Sequence, residues 1–264
     1  MFLILLILCI FLTVEVSFFI ANVAKIKQRW MFLIFEFGLF FVMFIWYKAR
    51  KITNRFLQFE NLNDDLDRLV QLSNATLVPK YATHLVYLTK ANNKRHVEKR
   101  IIESIMGNHP KRADVYWLVH IDRMDDPYTL EYSYETIVPN KIMRIDFKLG
   151  FRVNPKMSLY FKKVLRELLL KKELQLDITD EIAKRYKLDV NGDIKYVIIQ
   201  RFLSVENEFT FKEGFILNSY FVINKWALSD KKAFGLDINN TEIELTPLLV
   251  APPHEFSLKR LQNI

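Results

Sequence analysis

"MFLILLILCIFLTVEVSFFIANVA", Met1 to Ala24, and "WMFLIFEFGLFFVMFIWY", Trp30 to Tyr47, decide the fold of this chain. Both segments are apolar on every side rather than along one stripe, which is the pattern of a helix surrounded by lipid. At a rise of about 1.5 Å per residue, the first reaches roughly 36 Å and the second roughly 27 Å, against a hydrocarbon core of about 30 Å. Trp30, Trp46 and Tyr47 stand at the two ends of the second segment, at the depth aromatic rings with a polar tip prefer. Joined by "KIKQR" (25–29), the two segments predict a membrane helical hairpin of two transmembrane helices. Two other readings exist. A cleaved signal peptide would need a basic start and a small-residue cleavage site, yet no basic residue precedes Lys25. A pair of core helices in a soluble protein would show one-sided patterning.

Outward from the hairpin, the composition changes. The chain has 264 residues and a formal charge of +8. Lys48, Arg50, Lys51 and Arg55 cluster just past Tyr47, where positive charge marks the cytoplasmic side of a span. Lys25, Lys27 and Arg29 in the connector compete with them, so charge alone orients the hairpin weakly. The single cysteine, Cys9, lies inside the first segment and leaves no disulfide framework, in keeping with a cytoplasmic soluble part. No basic stripe interleaves with aromatics, which argues against nucleic acid as a partner.

From Lys48 onward the sequence reads as soluble protein. Residues 56–72 place Phe56, Phe59, Leu62, Leu66, Leu69 and Leu72 at helical spacing, predicting an amphipathic linker helix. Strands are predicted over 82–89, 114–122 and 193–203, and a hairpin over 129–137 and 141–149 with Pro139 and Asn140 in its turn. Helices are predicted over 94–106, 156–174 and near 211–227, with an extended tail from Thr246. The domain reading is therefore a two-helix transmembrane hairpin over 1–48, a basic exit and linker helix over 49–80, and an α/β domain over 81–264, because helices and strands alternate there.

Chemistry is sparse. Six glycines form no phosphate-binding loop, and His84, His96, His109, His120 and His254 have no metal-ligand spacing. No nucleophile is paired with a base, so the chain is not read as an enzyme and no cofactor is assigned. "DRMDDP" (122–127) follows a strand, where ligands bind in α/β folds, but Asp-Pro clusters also make ordinary turns. Asp64, Asp65 and Asp67 fit a solvated helix face. Within the spans, Glu15 and Glu36 are ionisable, which makes them intramembrane acidic candidates. Alternatively both lie near the interface, satisfied by water or by the connector's cations.

Glu15, Phe18, Phe19, Ala21, Asn22, Lys25 and Trp30, in that order, resemble the penultimate span of KUP/HAK/KT-type potassium uptake permeases, although Gln28 and Arg29 replace the family's two glycines. "MFIWYKAR" is similar to the exit of the family's last span. "VPKYATHLVYLTKA" is similar to the start of its cytoplasmic tail, and Gly150, Phe151 and Pro155 match its Gly-Phe-x-x-x-Pro stretch. The ending "GLDINNTEIELTPLLVAPP" is similar to versions from Gram-positive bacteria. The resemblance implies the last two spans and tail of such a permease, in the plasma membrane, with the tail cytoplasmic. It implies K+ as the transported ion, with protons as the coupling ion and the ion-binding spans missing from this chain. The implied partners are the lipid bilayer, the remaining spans, a second copy in a homodimer, and cyclic di-AMP as a tail ligand. The alternative is a free-standing, membrane-anchored interaction module without transport activity.

Overall fold

A computed structural model describes residues 2–24, 26–55, 57–175, 192–204, 209–227 and 229–248. The chain divides into two compact units, residues 1–52 with 210–226, and residues 53–209 with 227–264.

The first unit contains helices α1 (Phe2–Ala24) and α2 (Ile26–Arg55). Each is long and apolar enough to cross a membrane. Every residue of α1 whose side chain is described is exposed, and among the described side chains of α2 only Ile45 and Ala49 are buried. α2 begins at Ile26 rather than Trp30 and continues through Arg55. The connector residues 26–29 and the basic exit are thus helical, as expected of Lys, Gln and Arg with no proline or glycine among them. Only Lys25 separates the two helices, and it lies outside the described residues.

The second unit is built on a six-stranded mixed sheet. Its strands are β2 (Lys80–Thr89), β4 (Arg112–Met124), β5 (Leu130–Val138), β6 (Ile142–Gly150), β7 (Ile194–Leu203) and β8 (Thr241–Leu248), in the order β5-β6-β4-β2-β7-β8. β5 pairs antiparallel with β6, and the other pairings are parallel. A separate short pair joins β1 (Phe59–Asn61) to β3 (His96–Glu98). Helix α5 (Met157–Leu170) packs Phe161, Val164, Leu165 and Leu168 into a core with Trp117, Ile145 and Tyr196. Helices α3 (Leu66–Asn74) and α4 (Lys99–Met106) pack Leu69, Leu72, Ile101 and Ile105 into a second core with Leu85, Tyr87 and Tyr116. The sheet is therefore covered on both faces, which is why its central strands read as nearly unbroken apolar runs.

Two expectations change in detail. The linker helix predicted over 56–72 is β1, a 3-10 turn at Leu62–Asp64 and α3, because the Asn61 side chain accepts a hydrogen bond from Asn63 N–H at 3.2 Å and caps a new start. No strand is predicted over 241–248, where β8 lies; it takes in residues 246–248 of the tail expected to be extended, and its register against β7 runs from Tyr196↔Thr241 to Leu203↔Leu248. Pro247 is tolerated there because β8 is an edge strand. Residues 249–264, including the Ala-Pro-Pro of the ending, lie outside the described residues.

Candidate functional site

Three places hold chemistry that the apolar framework does not explain. On α1, Thr13, Ser17 and Ala21 recur every fourth residue and, with Val14 and Phe18, line a shallow groove. The hydroxyls donate to the carbonyls one turn back, Thr13 Oγ1 to Cys9 O and Ser17 Oγ to Thr13 O, both at 2.7 Å. That satisfies them without water and leaves a low ridge against which another helix backbone can approach closely. Glu15, two residues from both Thr13 and Ser17, lies on the opposite side of the helix. Glu15 and Glu36 are both on exposed helix faces. Side chains of the connector residues Ile26–Arg29, which could neutralise them, lie outside the described residues. At the end of α2, the Lys48 ammonium sits 5.7 Å from the Phe44 ring centroid, folding its stem along the apolar helix.

The carboxyl edge of the parallel strands is the second place. β2 leads to β4 on one side and is flanked by β7 on the other, so the connections diverge there, as they do where open α/β sheets bind ligands. His120 Nδ1 is 3.1 Å from Thr89 O. The buried Glu98 carboxylate accepts the Lys90 N–H at 3.0 Å. Burial holds its pKa above the ordinary carboxylate value, and the Lys90 N–H hydrogen bond together with the nearby Lys90 and Arg201 charges only partly offsets that. Arg201 is itself lowered by burial. One strand over, the fully buried Arg144 donates from Nε to Asp146 Oδ1 at 2.8 Å, from Nη1 to Asn93 O at 3.0 Å and from Nη2 to Ala91 O at 2.7 Å. Its guanidinium thereby fastens the loop that follows β2.

The third place is where Asp125, Asp126 and Pro127 fall. They form the turn between β4 and β5, resting on Gly150. A Cβ at Gly150 would lie 2.3 Å from Asp126 O and 2.5 Å from Pro127 O. The "DRMDDP" cluster is thus a turn whose backbone requires a glycine beneath it.

Among the described residues, these places show no catalytic layout. His84 Nδ1 accepts the Trp117 Nε1–H at 3.0 Å inside the core. Burial pushes the Tyr81 and Tyr87 phenols far above their usual value and Tyr116 up to about 12, so all three remain neutral and none serves as a base near neutrality. Among the described residues, no group of three or more His, Cys, Asp or Glu could hold a metal ion.

The Glu98, His120, Arg144 and Arg201 group was missed by sequence reasoning because its members are scattered over more than a hundred positions. An inward-facing arginine in the alternating strand "IMRIDF" was the one local signal. The Thr13, Ser17 and Ala21 ridge was legible in principle from its four-residue spacing.

The model of the K+ potassium transporter C-terminal domain family matches residues 82–248, from early in β2 to the last residue of β8. The chain belongs to this family. No solved structure matches it. Among curated relatives, the "Probable potassium transport system protein Kup" of Cytophaga hutchinsonii is 38% identical over 257 residues, covering 97% of this chain and 39% of the relative. The protein of the same name from Flavobacterium johnsoniae is 40% identical over 253 residues, covering 96% and 38%. That from Clostridium perfringens is 32% identical over 261 residues, covering 97% and 38%. The chain thus spans about two fifths of the length of these potassium transporter relatives, and the similarity runs through α1 and α2 as well as the family's C-terminal domain. Gly150, singled out by the resemblance, has its structural reason in the turn it supports.

Proposed function

We propose that this chain supplies two spans and the cytoplasmic tail of a potassium uptake permease, with K+ as the ion carried and protons as the coupling ion. One observation carries the reading: two spanning-length helices with almost no buried surface of their own lead directly into the C-terminal domain of the K+ transporter family. Helices of this kind need apolar neighbours, and the Thr13, Ser17 and Ala21 ridge is suited to another helix. A substrate site near the midplane needs more spans than two, so conduction belongs to the assembled permease.

Co-expression tests this. In a strain unable to take up potassium, the chain alone is expected not to restore growth at low K+. The chain together with the remaining spans of a relative, themselves inactive without it, is expected to restore growth and K+ uptake. Lack of rescue by the pair, with both parts present in the membrane, would leave the anchored interaction module as the surviving reading. A maleimide that cannot cross the membrane tests orientation. In a Cys9→Ser background, Tyr128→Cys should be labelled only after cells are opened.

On the same footing, the tail is proposed to pair with a second copy and to take cyclic di-AMP. The carboxyl edge bearing His120 and Arg201 is the place to look for that anion. Arg201→Ala should abolish any heat of nucleotide binding shown by the unmodified chain in calorimetry.

A further inference from the structure

The stretch "FKEGFILNSYFVIN" forms a helix, α6 (Phe211–Asn224), whose surroundings the fold does not explain. It has 14 residues and is about 21 Å long, too short to cross a hydrocarbon core of about 30 Å. An apolar helix of this length is ordinarily a core helix or an interfacial one. The first option fails on burial. Among the residues of α6, Leu217 alone is buried, while Phe211 is 88% and Val222 57% exposed. Phe211, Phe215, Asn218 and Val222 follow helical spacing and form one exposed, mainly apolar face. Just past the helix, Trp226 is 90% exposed.

α6 belongs to the same compact unit as α1 and α2. The Phe215 ring lies 6.4 Å from that of Phe41, and the Tyr220 ring meets Trp46 edge-on at 5.3 Å. α6 is therefore attached to α2 from Phe41 to Trp46, and Trp46 is followed in the chain by Tyr47, Lys48, Arg50 and Lys51. That is the aromatic and cationic level of a span's end. α6 repeats the same composition, with Lys212 in its first turn and Lys225 beside Trp226 at its far end.

We infer that α6 is a membrane-interface helix: the face bearing Phe211, Phe215 and Val222 lies in the headgroup and upper acyl layer on the side where α2 ends, with Lys212, Lys225 and Trp226 at the level of anionic headgroups. The occupant of this face is lipid, because it continues the lipid-facing surface of α2, and because the cations flanking it complement anionic phospholipid. The inference rests on α2 crossing the bilayer and does not depend on which ion, if any, the assembled protein carries.

Spin labelling of the full chain in vesicles containing anionic phospholipid tests it. In a Cys9→Ser background, single cysteines replace Phe211, Phe215 and Val222, with Asn224 as an off-face control and Phe37 of α2 as a control for the span. Labels at 211, 215 and 222 should collide more often with dissolved oxygen than with a water-soluble nickel chelate, and the label at 224 should show the reverse. With Trp30 and Trp46 at the ends of the span already replaced by Phe, Trp226→Phe should also remove most of the emission that brominated phospholipids quench. Preference for the nickel chelate at 215 and 222, with Phe37 still oxygen-accessible, would overturn the inference. So would low access to both reagents, which means protein covers the face, with spin–spin broadening identifying a second copy. A Phe37 label open to nickel would instead overturn the span itself.

Discussion

Phe37 of α2 is 71% exposed, whereas Trp117 of β4 is fully buried, and the contrast extends along the elements that hold them. α1 and α2 present large apolar side chains on every side. β2 and β4 bury theirs against α5 on one face and against α3 and α4 on the other. Burying such a side chain is worth about 1.5–3 kcal/mol. The sheet domain obtains that stabilisation from within its own chain. The two long helices do not, and must obtain it from lipid or from other helices. Apolarity alone therefore does not separate a core from a span; what separates them is whether the chain itself supplies the covering layer.

Substitutions at the two sites test the contrast most strongly. Trp117→Ala should destabilise the sheet domain by about 3–5 kcal/mol, because it leaves a cavity beside Phe161, whose ring meets it edge-on at 5.1 Å, and takes the donor from His84. Phe37→Ala should leave domain unfolding unchanged. Urea unfolding in detergent micelles, followed by hydrogen exchange of the β2 and β4 amides, reads both. Equal losses would mean that the helices and the sheet share one stability. Arg144→Met should cost about 2–3 kcal/mol by leaving Ala91 O, Asn93 O and Asp146 without their donor, and the exchange should quicken first in the loop after β2. Gly150→Ala should cost about 1–3 kcal/mol, since the added methyl meets the Asp126 and Pro127 carbonyls. Its melting curve should shift while membrane insertion stays the same.

The smallest effect is one of pH. Burial raises the Glu98 pKa in the folded state above its unfolded value. Its contribution to stability is fully present below the unfolded value, near pH 4.5, and is lost as pH rises through the folded one. Glu98→Gln keeps an oxygen for the Lys90 N–H but cannot ionise. Its stability should therefore fall less than that of the unmodified chain over that interval, as chemical denaturation at stepped pH would record. Parallel curves would remove Glu98 as a titrating group.

Much of this was legible in the sequence. The two spans, the strands over 82–89 and 114–122 and the Pro139-Asn140 hairpin follow from period and turn chemistry, with Asn140 at φ +57° closing the turn. β8 was harder. "TEIELTPL" alternates cleanly, but Pro247 is compatible with a strand only at a sheet edge, and the pairing with β7 that makes β8 an edge is not written in the local sequence. α3 begins late because the Asn61 side chain takes the Asn63 N–H and starts a separate 3-10 turn ahead of it. The helix near 211–227 was found, but its grouping with residues 1–52 was not, since ring contacts such as Trp46–Tyr220 span more than 170 positions and leave no local trace. Arg144 shows the same limit: its partners are carbonyls, which every residue has.

The strand order also sets a timetable for synthesis. β2 is made before β4 and β6, which line up on one of its sides, while the strand for its other side, β7, begins only at Ile194. At about 5–20 residues per second, the row of backbone groups at His84–Tyr87 that will pair with β7 waits roughly 5–20 s after Thr89 is made. During that interval the middle strand of the finished sheet is an edge, open to any other strand. A nascent chain arrested just before Ile194 should therefore be held by chaperones, and one arrested well past Leu203 should be released.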